Sequence, residues 1–205
     1  MAYYPLFVDL SHKNILIVGG GHVALLKAER LLPFGPNITI ASPTLDEGFD
    51  QLPLLNYLQT PWSPSLVEGM DIVFAATDNA ELNGQIAQYC REMDILVNSV
   101  DNKAESTFIS PAIVAEGELV IGISTSGASP AVAHLLKKVV REALPVHIVD
   151  ILDFLQRVRP QVKAAIPDGK KREEAFLELA KKCFEKDSAV SLAEYQEILE
   201  KYEQA

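Results

Sequence analysis

The sequence is poor in cysteine, in long apolar runs and in positive charge. Only Cys90 and Cys183 occur among 205 residues. They form no C-x-x-C pair, so a disulfide-dense scaffold is excluded and a reducing, cytoplasmic setting is expected. No apolar stretch approaches the roughly 20 residues that a bilayer span requires. Residues 1–7 carry no positive charge ahead of their apolar stretch and do not read as a signal peptide. Lysine and arginine number 18 against 28 acidic residues, a net charge of −10. Such a field repels nucleic-acid phosphates and anionic lipid, so neither nucleic acid nor membrane is an expected partner. The excess lies in residues 1–145, with 8 basic and 16 acidic side chains, whereas residues 146–205 hold 10 and 12. A polyanionic ligand therefore needs a local set of donors.

Several catalytic signatures are missing as well. There is no Tyr-x-x-x-Lys pair and no Gly-x-Ser-x-Gly elbow. The four histidines, His12, His22, His134 and His147, stand at no metal-ligand spacing from one another or from a cysteine, so no permanent metal site is expected.

What is present is an ordinary globular composition, 48% hydrophobic and 22% charged, which excludes intrinsic disorder. Residues 14–18 (NILIV) are a continuous apolar run ending in Gly19-Gly20-Gly21, as suits a buried parallel strand. Val23, Ala24, Leu26, Ala28, Leu31 and Leu32 then recur at helical spacing until Pro33 and Gly35. Strands follow at 37–41, 71–76 and 95–100, with a helix over 81–92. This alternation predicts an α/β fold, a Rossmann-type parallel sheet with helices on both faces, over residues 1–113. A hairpin of strands at 112–115 and 119–124 and a helix opening at Pro130, capped by Ser129, predict a small strand-plus-helix module over 114–145. Residues 146–205 read as helical only, at 147–159, 169–186 and 191–203, punctuated by Pro160, Pro167 and Asp187-Ser188.

Gly19-Gly20-Gly21-His22-Val23-Ala24 fits G-x-G-x-x-A between a strand and a helix. A pyrophosphate needs close backbone approach and free N–H groups at a helix N-terminus, which such a loop supplies. The second strand ends in Ala41-Ser42-Pro43-Thr44, without the usual ribose-binding carboxylate and without an arginine for a 2′-phosphate, which favours NAD. Ligands on such sheets lie beyond the carboxyl ends of the strands, where Asp78 and Asp101 fall. Thr77-Asp78-Asn79 is a site candidate or a helix cap. Asp101 follows the polar residues Asn98-Ser99 in an otherwise apolar strand. It is a candidate general base or a turn residue before Asn102. Ser124, Thr125, Ser126 and Gly127, just before a helix start, form an anion-receptive surface or an ordinary capped turn.

Together these residues resemble the precorrin-2 dehydrogenase/sirohydrochlorin ferrochelatase family, the N-terminal module of siroheme synthase. The matching pieces are Tyr4-Pro5-Leu6-Phe7, Val18 through Ala24, Ala75-Ala76-Thr77-Asp78 and Val97-Asn98-Ser99-Val100-Asp101. Phe108 through Ile113 and Ile123 through Pro130 complete the set, in family order across residues 4–145. The resemblance implies NAD-dependent oxidation of precorrin-2 to sirohydrochlorin. In those relatives that also chelate, Fe2+ is inserted to give siroheme. It implies Asp101 as the catalytic residue and cofactor contacts at Gly19, Gly20, Gly21, His22, Val23, Pro43, Thr44, Thr77 and Asp78. Substrate contacts fall at Asn98, Ser124, Thr125, Ser126 and Gly127, and a homodimer forms through residues 114–145. Departures are Asn102-Lys103 after the aspartate, Thr125 where some synthases carry serine, and a length that leaves no room for the fused methyltransferase. A rival class is a non-catalytic NAD-responsive or tetrapyrrole-binding regulator, whose helical tail offers no basic stripe for DNA.

Overall fold

The computed structural model describes residues 3–53, 55–100 and 102–204. They fall into two units, Met1–Ser110 and Pro111–Ala205.

In the first unit β1 (Asn14–Val18) leads through the glycine loop into α1 (His22–Leu31). Then come β2 (Asn37–Ala41), β3 (Asn56–Leu58), β4 (Ile72–Ala75), α2 (Ala80–Glu92) and β5 (Leu96–Ser99). All five strands are parallel, in the order β3-β2-β1-β4-β5. This is the order of a Rossmann half-sheet, so the crevice at the strand ends lies where the order reverses, between β1 and β4. The predicted α/β fold is borne out. β1 and β4 are central and buried on both faces, which is why they read as unbroken apolar runs. Ile15, Ile17, Ile40 and Phe74 pack under Ala24, Leu25 and Ala28 of α1. Leu16, Val18, Val73 and Ala75 pack on the opposite face with Ile86, Ala87 and Cys90 of α2. Burial lifts the Cys90 thiol to about 11, which keeps it protonated and unreactive. β3 is a three-residue edge strand, exposed throughout, and carries no apolar pattern by which to find it.

In the second unit β6 (Ala112–Glu116) and β7 (Leu119–Ile123) form an antiparallel hairpin, followed by α3 (Pro130–Ala143). Three helices complete it: α4 (Ile148–Ala165), α5 (Gly169–Lys186) and α6 (Leu192–Glu203). The helix expected to stop before Pro160 instead runs to Ala165, with Pro160 inside it. Proline forfeits one backbone hydrogen bond there. However, its ring faces solvent, while Ile151, Phe154, Val158, Val162 and Ile166 continue one buried stripe against Leu179, Cys183, Tyr195 and Ile198. Packing along that stripe holds the helix together. Capping accounts for the other ends: Asp168 starts α5, and Ser191 with Glu194 forms a capping box on α6. Asp187 ends α5 in the left-handed conformation, at φ +51°.

Candidate dinucleotide site

The three loop glycines do different work. Gly19 sits at φ +127°, and a Cβ there would collide with the backbone carbonyl of Ala76. A Cβ on Gly20 would collide with the carbonyl of Thr44 and the Ser42 side chain. These two positions let the loop pass between the ends of β2 and β4. Gly21, by contrast, has nothing within 4 Å of a Cβ. It caps α1 without a side chain, and the first turn of α1 holds no acid. The first intrahelical donor is the N–H of Leu25, bonded to the Gly21 carbonyl. The N–H groups of His22, Val23 and Ala24 therefore precede the helical ladder and point out of its N-terminus. Open space over uncommitted N–H groups at the positive end of a helix is what a pyrophosphate occupies.

Around this loop the strand ends are fixed by side chains. Ser42 is buried, whereas Pro43 and Thr44 are exposed on the β2 side. On the β4 side Asn83, fully buried in α2, clamps Thr77. Its Oδ1 accepts from the Thr77 N–H at 3.0 Å and from the Thr77 hydroxyl at 2.8 Å, and its Nδ2 donates to the Thr77 carbonyl at 3.0 Å. Asn79, not Asp78, caps α2, accepting from the Leu82 N–H, and the Asp78 side chain is left exposed. Asn83 belongs to no motif that marks it in the sequence. A polar residue on the buried face of an amphipathic helix was the available signal.

The end of β5 is closed by a hydroxyl clasp. The Thr107 hydroxyl accepts from the Val97 N–H at 2.8 Å, and the Thr107 N–H donates to the Val97 carbonyl at 2.8 Å. The Ser106 hydroxyl accepts from the Ser99 N–H at 2.9 Å. The Val100 N–H donates to the Ala75 carbonyl, and Lys103–Glu105 form a short 3-10 turn capped by Asn102 just before Ser106. Asp101, the expected base, lies outside the described residues. Asn98 is buried with both ends of its amide committed: Oδ1 accepts from Lys27 Nζ at 3.2 Å, and Nδ2 donates to the Phe108 carbonyl at 3.1 Å.

Ser124, Thr125, Ser126 and Gly127 lie in the second unit, between β7 and α3. Ser126 and Gly127 both have positive φ, +52° and +81°. The Ser124 hydroxyl accepts from the Ser126 N–H, and the Thr125 hydroxyl accepts from the Ser129 N–H. Ser129 caps α3 as expected, accepting from Val132. Among the described residues, no group of three or more His, Cys, Asp or Glu could hold a metal ion. None of their helices is long and apolar enough to cross a membrane.

Residues 6–112 match the model of a family described as "Putative NAD(P)-binding". The chain belongs to this family. The glycine loop, the open position over Gly21 and the end of β2 all lie within the matched residues, so the geometry fits a nicotinamide dinucleotide. The resemblance drawn from the motifs is borne out as well. The chain is 34% identical over 167 residues to siroheme synthase 2 of Aeromonas hydrophila, covering 81% of this chain and 36% of that protein. It is 34% identical over 171 residues to the siroheme synthase of Chromobacterium violaceum, covering 82% and 36% respectively. The chain therefore spans little more than a third of the length of these relatives. A solved structure titled "SirC, precorrin-2 dehydrogenase" superposes with a TM-score of 0.74 over 99% of this chain and 100% of that one. At 22% identity that likeness establishes the fold.

Proposed function

We propose that the chain oxidises precorrin-2 to sirohydrochlorin, with NAD as hydride acceptor, in siroheme synthesis. The observation that carries this reading is the 34% identity to siroheme synthases over 81% of the chain, in a family described as NAD(P)-binding. Bound nicotinamide supplies a hydride acceptor. The chain's own part begins at the α1 N-terminus, where His22, Val23 and Ala24 offer N–H groups to the pyrophosphate. Pro43 and Thr44, exposed after β2, would hold the ribose, and the absence of an arginine there favours NAD over NADP. Thr77, held by Asn83, and Asp78 line the path toward the nicotinamide. Asp101, which follows β5 in the sequence, takes the proton that leaves as hydride departs. Asn98 acts by holding its neighbours, while Ser124, Thr125, Ser126 and Gly127 offer donors to the substrate's carboxylate arms.

A homodimer belongs to the same reading. Val132, Leu135, Leu136 and Val139 are 42–63% exposed at i, i+3, i+4 and i+7 of α3, an apolar stripe that a second copy of the chain covers. The test is NADH formation from precorrin-2. Asp101→Ala is expected to abolish turnover while leaving NAD affinity intact, and unchanged turnover would sink the assignment. Sirohydrochlorin with Fe2+, followed by absorbance, shows whether the same chain also chelates.

A further inference from the structure

Lys27 is an unusual lysine. It lies in the second turn of α1, and its side chain leans toward the helix N-terminus, as helical side chains do. In a parallel α/β sheet that direction leads to the ligand-binding edge. Its ammonium lies 3.2 Å from Asn98 Oδ1 and 3.2 Å from Ser110 Oγ, and 5.2 Å from the centre of the Phe74 ring. All three partners are neutral. Among the described residues no carboxylate pairs with it, and the charged neighbour that bears on it is another cation, Arg30. Burial pushes its pKa down from 10.5 to about 8. Lys27 is half-buried, and an ammonium drawn that far out of water normally acquires an anionic partner, because desolvating a charge without one is costly. A lysine carries three donors, and the two hydrogen bonds use two of them. All this occurs in the acidic part of the chain, where carboxylates outnumber cations two to one.

We propose that the Lys27 ammonium is an anion receptor, taking a carboxylate of the substrate at the β4–β5 end of the sheet. Asn98, Ser110 and Phe74 hold it in place without neutralising it, so its charge stays available to the ligand. This rests on the tetrapyrrole reading above and adds to it how a chain of net charge −10 receives a polycarboxylate. The site is distinct from the pyrophosphate cradle, whose donors are backbone N–H groups at the start of α1.

The test uses the full chain, with uroporphyrin I (eight carboxylates), its octamethyl ester (none) and NADH as separate probes. Binding is read by quenching of Trp62, the single tryptophan. Lys27→Met is expected to weaken uroporphyrin binding roughly tenfold to a hundredfold, as loss of a charged hydrogen bond does. Lys27→Arg is expected to restore most of that loss, and the ester and NADH bind alike in all three proteins. Equal uroporphyrin affinity in wild type and Lys27→Met overturns the inference alone. So does an equal loss for acid and ester, which marks a change of shape, or a parallel loss of NADH, which puts the charge on the cofactor. A wild-type chain that binds NADH but not uroporphyrin overturns the tetrapyrrole reading and this inference together.

Discussion

The two units treat polar groups in opposite ways. In the first, polar side chains near the strand ends are spent on holding the chain: Asn83, Thr107 and Ser106 bond to the backbone of Thr77, Val97 and Ser99, and Lys27 bonds to the neutral side chains of Asn98 and Ser110. In the second, charges are paired at the surface, Lys186 with Glu194, Lys201 with Glu178 and Arg141 with Glu116, around a core of aliphatic and aromatic side chains. Lys186 and Ser191 together hold the Glu194 carboxyl down to about 2. The difference teaches where precision is needed. A helical bundle needs its charges only to be compatible with folding, whereas a ligand edge needs strand ends held to a fixed geometry.

The largest effect that separates the units is expected at glycine. Gly20→Ala forces a Cβ into the Thr44 carbonyl and should destabilise the chain by about 3 kcal/mol or more in urea titration. Gly169→Ala, at the start of α5 with only the far end of Arg172 nearby, should leave the midpoint unchanged. Gly21→Ala sharpens the contrast: the fold should persist while calorimetry shows weakened NAD binding, because the new methyl group enters open space over the cradle. Next in size is the serine pair. Ser106→Ala strands the buried Ser99 N–H and should cost about 1–3 kcal/mol. Ser191→Ala removes an exposed helix cap and should cost about 1 kcal/mol.

Lys27→Met is expected to change the pH dependence of stability more than stability itself. With a folded pKa near 8 against 10.5, the wild-type ammonium carries a burial penalty of at most about 3 kcal/mol. That penalty is fully present below pH 8. Between pH 8 and 10.5 the folded state sheds a proton that the unfolded state keeps, so wild-type stability rises with pH relative to the variant. Against it stand two lost hydrogen bonds, each about 1 kcal/mol. The variant should therefore be about as stable as wild type at neutral pH, and the difference between the two denaturation curves should move in favour of wild type across that window. A difference that stays flat would show the lysine to be solvated. The smallest effect belongs to Lys201→Ala. Its exposed pair with Glu178 should shift the thermal midpoint only slightly, and salt should erase the shift.

Much of the frame was legible because burial on two faces leaves an unmistakable trace. Strands 14–18 and 37–41 and the helix at 169–186 lie where their apolar patterns put them, and Ser129 caps α3 as its position suggested. β3 left no trace, since three exposed edge residues need no apolar pattern. Pro160 misled because proline's local cost is visible in sequence, while the tertiary packing that outweighs it is not. In the site, the glycine loop was readable from spacing, but the division of labour within it was not. Only the neighbours of each missing Cβ show that Gly19 and Gly20 serve packing while Gly21 faces open space. Asn83 and Lys27 went unnoticed because their roles depend on partners 6 and 71 residues away.

The clasp beside β5 also bears on how the molecule behaves in a crowd. β5 is the last strand of its sheet, and a bare strand edge is a template on which another chain can add itself. Here the outward-facing groups of Val97 and the N–H of Ser99 are answered by Ser106 and Thr107, in part by hydroxyls rather than by a sixth strand. Two small side chains thus stand guard where most sheets would post a strand. A double change of Ser106→Ala and Thr107→Val would turn a soluble edge into a sticky one, and slow polymerisation would betray it before any loss of fold.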